Sequence, residues 1–137
     1  MDSELEQILV DKYPEITKEY HLSAQDSCMG RGFECGNGWY GIIDKCCEGI
    51  KRIVDKKGIT VVFAQVKEKF GQLRIYVEME GAKDGDKKDV LGLIDSCSKE
   101  STHVCETCGV FSKDSLLKDR NGWVCSVCGE CETKLEE

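Results

Sequence analysis

Ten cysteines in 137 residues carry the strongest chemical signal in the chain. Cys105-Glu-Thr-Cys108-Gly has the form of a metal knuckle. Two thiols with two residues between them reach one tetrahedral ion, and the glycine lets the backbone turn tightly around sulfur. The second half, Trp123-Val-Cys125-Ser-Val-Cys128-Gly-Glu-Cys131, offers two overlapping pairs. Pairing Cys125 with Cys128 leaves 16 residues after the first knuckle, pairing Cys128 with Cys131 leaves 19, and both intervals suit a four-cysteine zinc site. Four thiolates close the coordination sphere and leave no position for an activated water, so one structural Zn2+ is expected. Asp119-Arg-Asn-Gly122 supplies a hairpin turn between the pairs, which points to a zinc ribbon or a related zinc hairpin. His103, two residues before a ligand, is an alternative donor. His21 is the only other histidine, so neither a His-rich metal centre nor a Ser-His-Asp triad can be built. The single proline, Pro14, excludes the Pro-Cys-x-x-Cys of a zinc deaminase. Cys46, Cys47 and Cys97 fall on apolar helix positions as small core residues, and with Cys28 and Cys35 they form no recognisable knuckle.

Two further stretches could meet an anion. Gln25 to Gly41 reads QDSCMGRGFECGNGWYG, with glycines at 30, 32, 36, 38 and 41 ahead of a helix start. Free N–H groups and the positive helix end favour negative charge, although the loop is neither a Walker loop nor a dinucleotide fingerprint. Lys67, Lys69 and Arg74 cluster around one hairpin turn with Phe70 and Tyr76, a set suited to phosphate contact and base stacking. Charged strands also guard sheet edges against aggregation. Together these features nominate Arg31, Phe33, Trp39, Tyr40, Lys67, Lys69 and Arg74 for a nucleotide-sized anionic ligand. For an enzyme, Asp26, Glu34 or Asp44 would have to serve as acid, base or metal ligand; no nucleophile–base constellation accompanies them, so no catalytic residue is assigned.

The elements that must position these groups follow from periodicity. Ser3 with Glu6 forms a possible capping box for a first helix with Leu5, Ile8 and Leu9 on its apolar stripe, and a short helical stretch is possible near 16–20. Trp39, Ile42, Ile43, Cys46, Cys47, Ile50, Ile53 and Val54 recur at helical spacing until Gly58. The run 59–67 has strand density, and Leu73, Ile75, Val77 and Met79 alternate with Arg74, Tyr76 and Glu78, which predicts a β-hairpin. A helix near 87–101 follows, with Val90, Leu91, Ile94 and Cys97 on its core side. Two strands alone are marginal, so the helices and a further strand must cover them. The expected class is α+β, with a helix and antiparallel hairpin core over 1–102 and a zinc-ribbon-like subdomain over 103–137 packed on it.

Composition bounds the partners. Lys and Arg total 19 against 26 Asp and Glu, a net charge of −7 that argues against backbone-driven nucleic-acid binding. Only the middle is basic: residues 51–100 carry 11 basic and 9 acidic side chains, against 4 and 10 before them and 4 and 7 after. No run approaches a membrane span, and the first residues lack a signal peptide's basic and apolar regions, so a soluble, unexported chain is expected.

Taken in order, Phe33-Glu-Cys-Gly-Asn-Gly-Trp-Tyr40 with Ile43-Asp44, Gln65-Val-Lys-Glu-Lys-Phe-Gly-Gln-Leu-Arg74, Ser101 ahead of Cys105-Glu-Thr-Cys108-Gly, and Gly122-Trp123 ahead of Cys128 and Cys131 resemble a family of small phage and prophage proteins. The likeness spans about 33–131. In that pattern the closing pair follows Gly-Trp by four residues, which implies Cys105, Cys108, Cys128 and Cys131 as ligands and Cys125 as an addition. The resemblance further implies a virus-encoded accessory protein in the bacterial host cytoplasm, acting without turnover against a host defence system, for example by sequestering a nucleotide-like immune signal. The alternative is a protein-docking module, in which Val110, Phe111, Leu116, Leu117 and Trp123 meet a host protein and inhibit or regulate it. Either form is compatible with a homo-oligomer.

Overall fold

The eighteen-residue helix α2 (Tyr40–Lys57) organises the protein because its stripe of Ile42, Ile43, Cys46, Cys47 and Ile50 is entirely buried. Gly58 ends it in the left-handed region, φ 67°, and returns its N–H to Val54 O at 2.8 Å. The computed structural model describes residues 1–135. Before α2 lie α1 (Ser3–Lys12), three short 3-10 turns and the two-residue strand β1 (Phe33–Glu34); after it come β2 (Thr60–Lys69), β3 (Gln72–Glu80) and α3 (Asp84–Ser101). The chain closes with β4 (Leu117–Arg120), β5 (Trp123–Ser126) and α4 (Gly129–Leu135). The class is α+β, and among the described residues no helix is long and apolar enough to cross a membrane.

The main sheet has the order β1-β2-β3, with β1 parallel and β3 antiparallel to β2. A register shift between Phe63 and Gln65 inserts Ala64 as an extra residue in β2. Without it, the period of two that sends Val61 and Phe63 inward would turn Lys67 into the core; with it, Val66 points inward beside Leu73 and Ile75. Gln65, Lys67, Lys69, Gln72, Arg74 and Tyr76 are thereby gathered on the opposite, open face. The hairpin turn is tight. Only Phe70 and Gly71 connect the strands, with φ 54° and 78°, a two-residue turn that normally favours Asn-Gly.

Three local expectations are corrected. Glu6 forms no capping box: Asp2 is the N-cap without a side-chain bond, and the buried Glu6 carboxylate accepts the Phe33 N–H at 2.6 Å and the Tyr20 hydroxyl at 3.1 Å. The stretch after Pro14 forms a 3-10 turn over Lys18–His21 rather than a helix. The glycines at 30, 32, 36, 38 and 41, which argue against any regular element there, still leave room for one, since β1 pairs Phe33 with Val66 and Glu34 with Lys67.

Buried apolar residues form two clusters. The larger runs from Leu9 through the helices and sheet to Val104 and includes Phe33, Trp39, Cys46, Cys47 and Cys97. The smaller consists of Cys105, Cys125, Val127 and Cys131. They are tied by hydrogen bonds: Leu116 N donates to Thr102 O at 2.7 Å, and Ser126 Oγ donates to Gly71 O at 2.6 Å.

Candidate metal centre and the surfaces beside it

Cys105, Cys108, Cys128 and Cys131 place their sulfurs within 4.8 Å of one another, close enough for four thiolates to hold one metal ion. Each pair is locally preorganised. Cys108 N–H points at Cys105 Sγ and Cys131 N–H at Cys128 Sγ, both at 3.5 Å, so the backbone curls around the first sulfur of each pair. Cys105 and Cys108 sit on a loop knuckle, whereas Cys128 precedes α4 and Cys131 lies in its first turn. The β4–β5 hairpin joins them through Asn121–Gly122, both at positive φ. Knuckle, hairpin and helix follow in that order and make a finger of the zinc-hairpin kind that the spacing allows beside a ribbon. A ribbon would carry its second pair on a second hairpin. Cys125 lies in β5 opposite Lys118, buried but outside the set of mutually close sulfurs, which decides between the two overlapping pairs. His103 stands outside that set; its Nδ1 lies 3.1 Å from Ser112 O and its ring stacks on Phe111.

The thiols are unequal. Burial opposes ionisation of Cys105, yet the N–H groups of Cys108, Cys128 and Thr107 hold it down to about 6. Burial and the sulfurs of Cys128, Cys108 and Cys105 push Cys131 up to about 12. A cation would enter beside one ready thiolate and displace protons from its neighbours.

Glycine-rich loop and metal knuckle form one unit. Gly36 N–H donates to Glu106 Oε2 at 2.8 Å, and Gly38 N–H donates to Glu106 O at 2.7 Å. A Cβ on Gly38 would fall inside contact distance of Cys105 O and 2.6 Å from Glu106 C, so glycine is what permits two backbones to touch here. The indole of Trp39 completes the joint by donating Nε1–H to Val104 O at 2.9 Å. The carboxylates of Glu6 and Glu106 thus occupy the loop N–H groups that an external anion would need. Burial raises the Glu106 pKa, with the Gly36 N–H working against that rise.

The seven proposed ligand residues are therefore divided. Phe33 and Trp39 are 1% and 0% exposed; they are core residues with no face for a base, a correction to their assignment. Arg31 is exposed ahead of β1, and Tyr40 lines an open cleft of about 390 Å³ beside the knuckle with Asn37, Lys45 and Cys108. Lys67, Lys69 and Arg74 do come together on the open sheet face. Lys67 Nζ stands 5.7 Å from the Tyr76 ring and Lys69 Nζ 5.8 Å from the Phe70 ring, with Glu34 beside Lys67. The carboxylates considered for catalysis stand on separate elements: Asp44 holds Lys12 and the Tyr13 hydroxyl, both at 2.7 Å, and Asp26 accepts from Ser23.

No family model, curated protein or solved structure matches the chain. The site geometry is accordingly what any functional reading rests on.

Among the functional residues, spacing did not reveal Glu106. It sits inside the knuckle motif, where its neighbours draw the attention, and a buried carboxylate leaves no periodic signature. Ser98 and Ser101, whose hydroxyls bind the Leu73 backbone, are equally silent.

Proposed function

We propose that the protein is a noncatalytic, zinc-stabilised docking module that binds a protein partner through its finger and the adjoining hairpin tip. Four thiolates of this kind suit zinc in preference to harder cations. The supporting observation is Phe70. A bulky aromatic at φ 54° costs about 1–2 kcal/mol of backbone strain, yet its side chain is 66% exposed and gains little burial in return. Such a residue is understandable as an anchor for something that covers it. Gly71 beside it packs on Leu117, and Val110, Phe111, Leu117, Trp123 and Leu135 of the finger are all exposed. Aromatic anchors of this type dominate protein interfaces. Resemblance to phage proteins makes a component of a bacterial host defence system the proposed partner class, met in the host cytoplasm.

Capture from bacterial cells tests this by comparing wild type with Phe70→Asn and Trp123→Ser. A protein retained by wild type, lost by about 30-fold in affinity from either variant and rebound when purified supports docking, since loss of one anchor removes about 2 kcal/mol. Equal retention by all three chains refutes it. A second reading rests on Lys67, Lys69 and Tyr76 sharing the open face: sequestration of a nucleotide-like signal there. It predicts an unchanged nucleotide released on denaturation of wild type and absent from Lys67→Ala/Lys69→Ala.

A further inference from the structure

The outer edge of β3 is unpaired along most of its length. In the order β1-β2-β3 it is an edge strand, and in an antiparallel pair alternate residues of such a strand turn both N–H and C=O away from the sheet. Leu73 is one of these: its N–H has no strand partner and donates to Ser101 Oγ at 2.9 Å, and its carbonyl accepts from Ser98 Oγ–H at 2.7 Å. The same phase makes Ile75, Val77 and Met79 outward-facing, and no described group meets their backbones on that side. Below this edge runs a groove of about 190 Å³ between β3 and α3, floored by Ile94 and by Leu91, which is 51% exposed. Arg74 lines the groove, and its Nε is buried without a hydrogen-bond partner.

We infer that this edge pairs antiparallel with the β3 edge of a second copy of the chain, joining two sheets across a two-fold axis. The charges along β3 select that occupant. Arg74 stands near the start of the strand and Glu78 and Glu80 at its end, all on the open face. Because Ser98 and Ser101 already occupy Leu73, the ladder can use only Ile75, Val77 and Met79. The symmetric register that does so sets Val77 opposite Val77 and Ile75 opposite Met79. It then places Arg74 opposite Glu80, and Tyr76 opposite Glu78, at both ends. Opposite charges across a ladder stabilise this pairing, and Arg74, whose Nε has no hydrogen-bond partner, gains a carboxylate. Leu91 of each copy lies under the added strand, where it covers the inward side chains. The inference stands apart from the docking reading, since it uses neither Phe70 nor the finger.

Sedimentation of the metal-loaded full chain across a micromolar-to-millimolar series, together with amide exchange, tests it. Wild type should pass from monomer to dimer with concentration, and the amides of Ile75, Val77 and Met79 should slow in step. Arg74→Glu alone, and Glu78→Lys/Glu80→Lys alone, should each weaken self-association about tenfold or more, whereas an equimolar mixture of the two should form a heterodimer of wild-type affinity. The double variant alters exposed positions, so it reports even if Arg74→Glu folds poorly. A wild type that stays monomeric overturns the inference. So does a dimer that survives both variants unchanged, or one that leaves the three amides fast.

Discussion

Substituting Gly38 with alanine tests the joint between loop and knuckle at a single atom. The added Cβ would sit against Cys105 O and 2.6 Å from the carbonyl carbon of Glu106. Both obstacles are backbone, so no side chain can swing aside. The loop must withdraw, giving up the Gly38 N–H bond to Glu106 O and straining the Trp39 bond to Val104 O. Overpacking of about 1–3 kcal/mol plus about 1 kcal/mol for the bond lost amounts to roughly 2–4 kcal/mol. That is a large share of a stability of about 5–15 kcal/mol. Gly41, three residues on, supplies the control: a Cβ there meets nothing within 4 Å, and the position lies in α2. Gly41→Ala should therefore stabilise by up to about 1 kcal/mol through helix propensity. Urea unfolding of the metal-loaded variants reads both, with the alanines moving the midpoint in opposite directions. Equal midpoints for Gly38→Ala and wild type would show that loop and knuckle are not in contact.

Other perturbations separate the remaining assignments. Cys131→Ser should abolish stoichiometric zinc binding while Cys125→Ser retains it, as read by metal analysis after dialysis. Because protons must leave Cys108 and Cys131 when a cation binds, apparent zinc affinity should fall from about pH 8 to about pH 6, with proton release detectable in weakly buffered solution. Phe70→Asn should raise folding stability by about 1 kcal/mol through relief of the left-handed backbone, visible as a higher denaturation midpoint, while it weakens partner binding. Tyr13 is pushed up to about 12 by burial and by Asp44. Its neutral form contributes stability that is complete below about pH 10 and lost as pH rises through about 12, and Tyr13→Phe should flatten that alkaline decline.

Periodicity made the scaffold legible. The stripe from Ile42 to Ile50 and the alternation from Leu73 to Met79 each force one buried face, so α2 and β3 lie where those patterns place them. Cys105, Cys108 and Cys128 were legible for a related reason, because a two-residue gap between thiols has few uses besides a shared ion; spacing left the fourth ligand open between Cys125 and Cys131, and only the resemblance pointed to Cys131. The finger's architecture was not: whether the second pair follows a hairpin or opens a helix depends on where α4 begins. The glycine-rich loop was legible as a place of close approach but not as to what approaches. Its anion turned out to be internal, supplied by Glu6 and Glu106, residues distant in sequence. Phe33 and Trp39 looked like a ligand's aromatic platform because glycines flank them; tertiary packing buried them instead. The Ala64 bulge, which decides the face of Lys67, leaves no mark in composition.

Native mass spectrometry of the chain captured from bacterial cells bears most directly on the central claim, since one spectrum counts metal ions, chains, proteins and small ligands together. The account predicts one zinc per chain with a bound protein partner, and loss of that partner alone in Phe70→Asn. A chain carrying no metal, or one whose sole companion is a nucleotide, would contradict it.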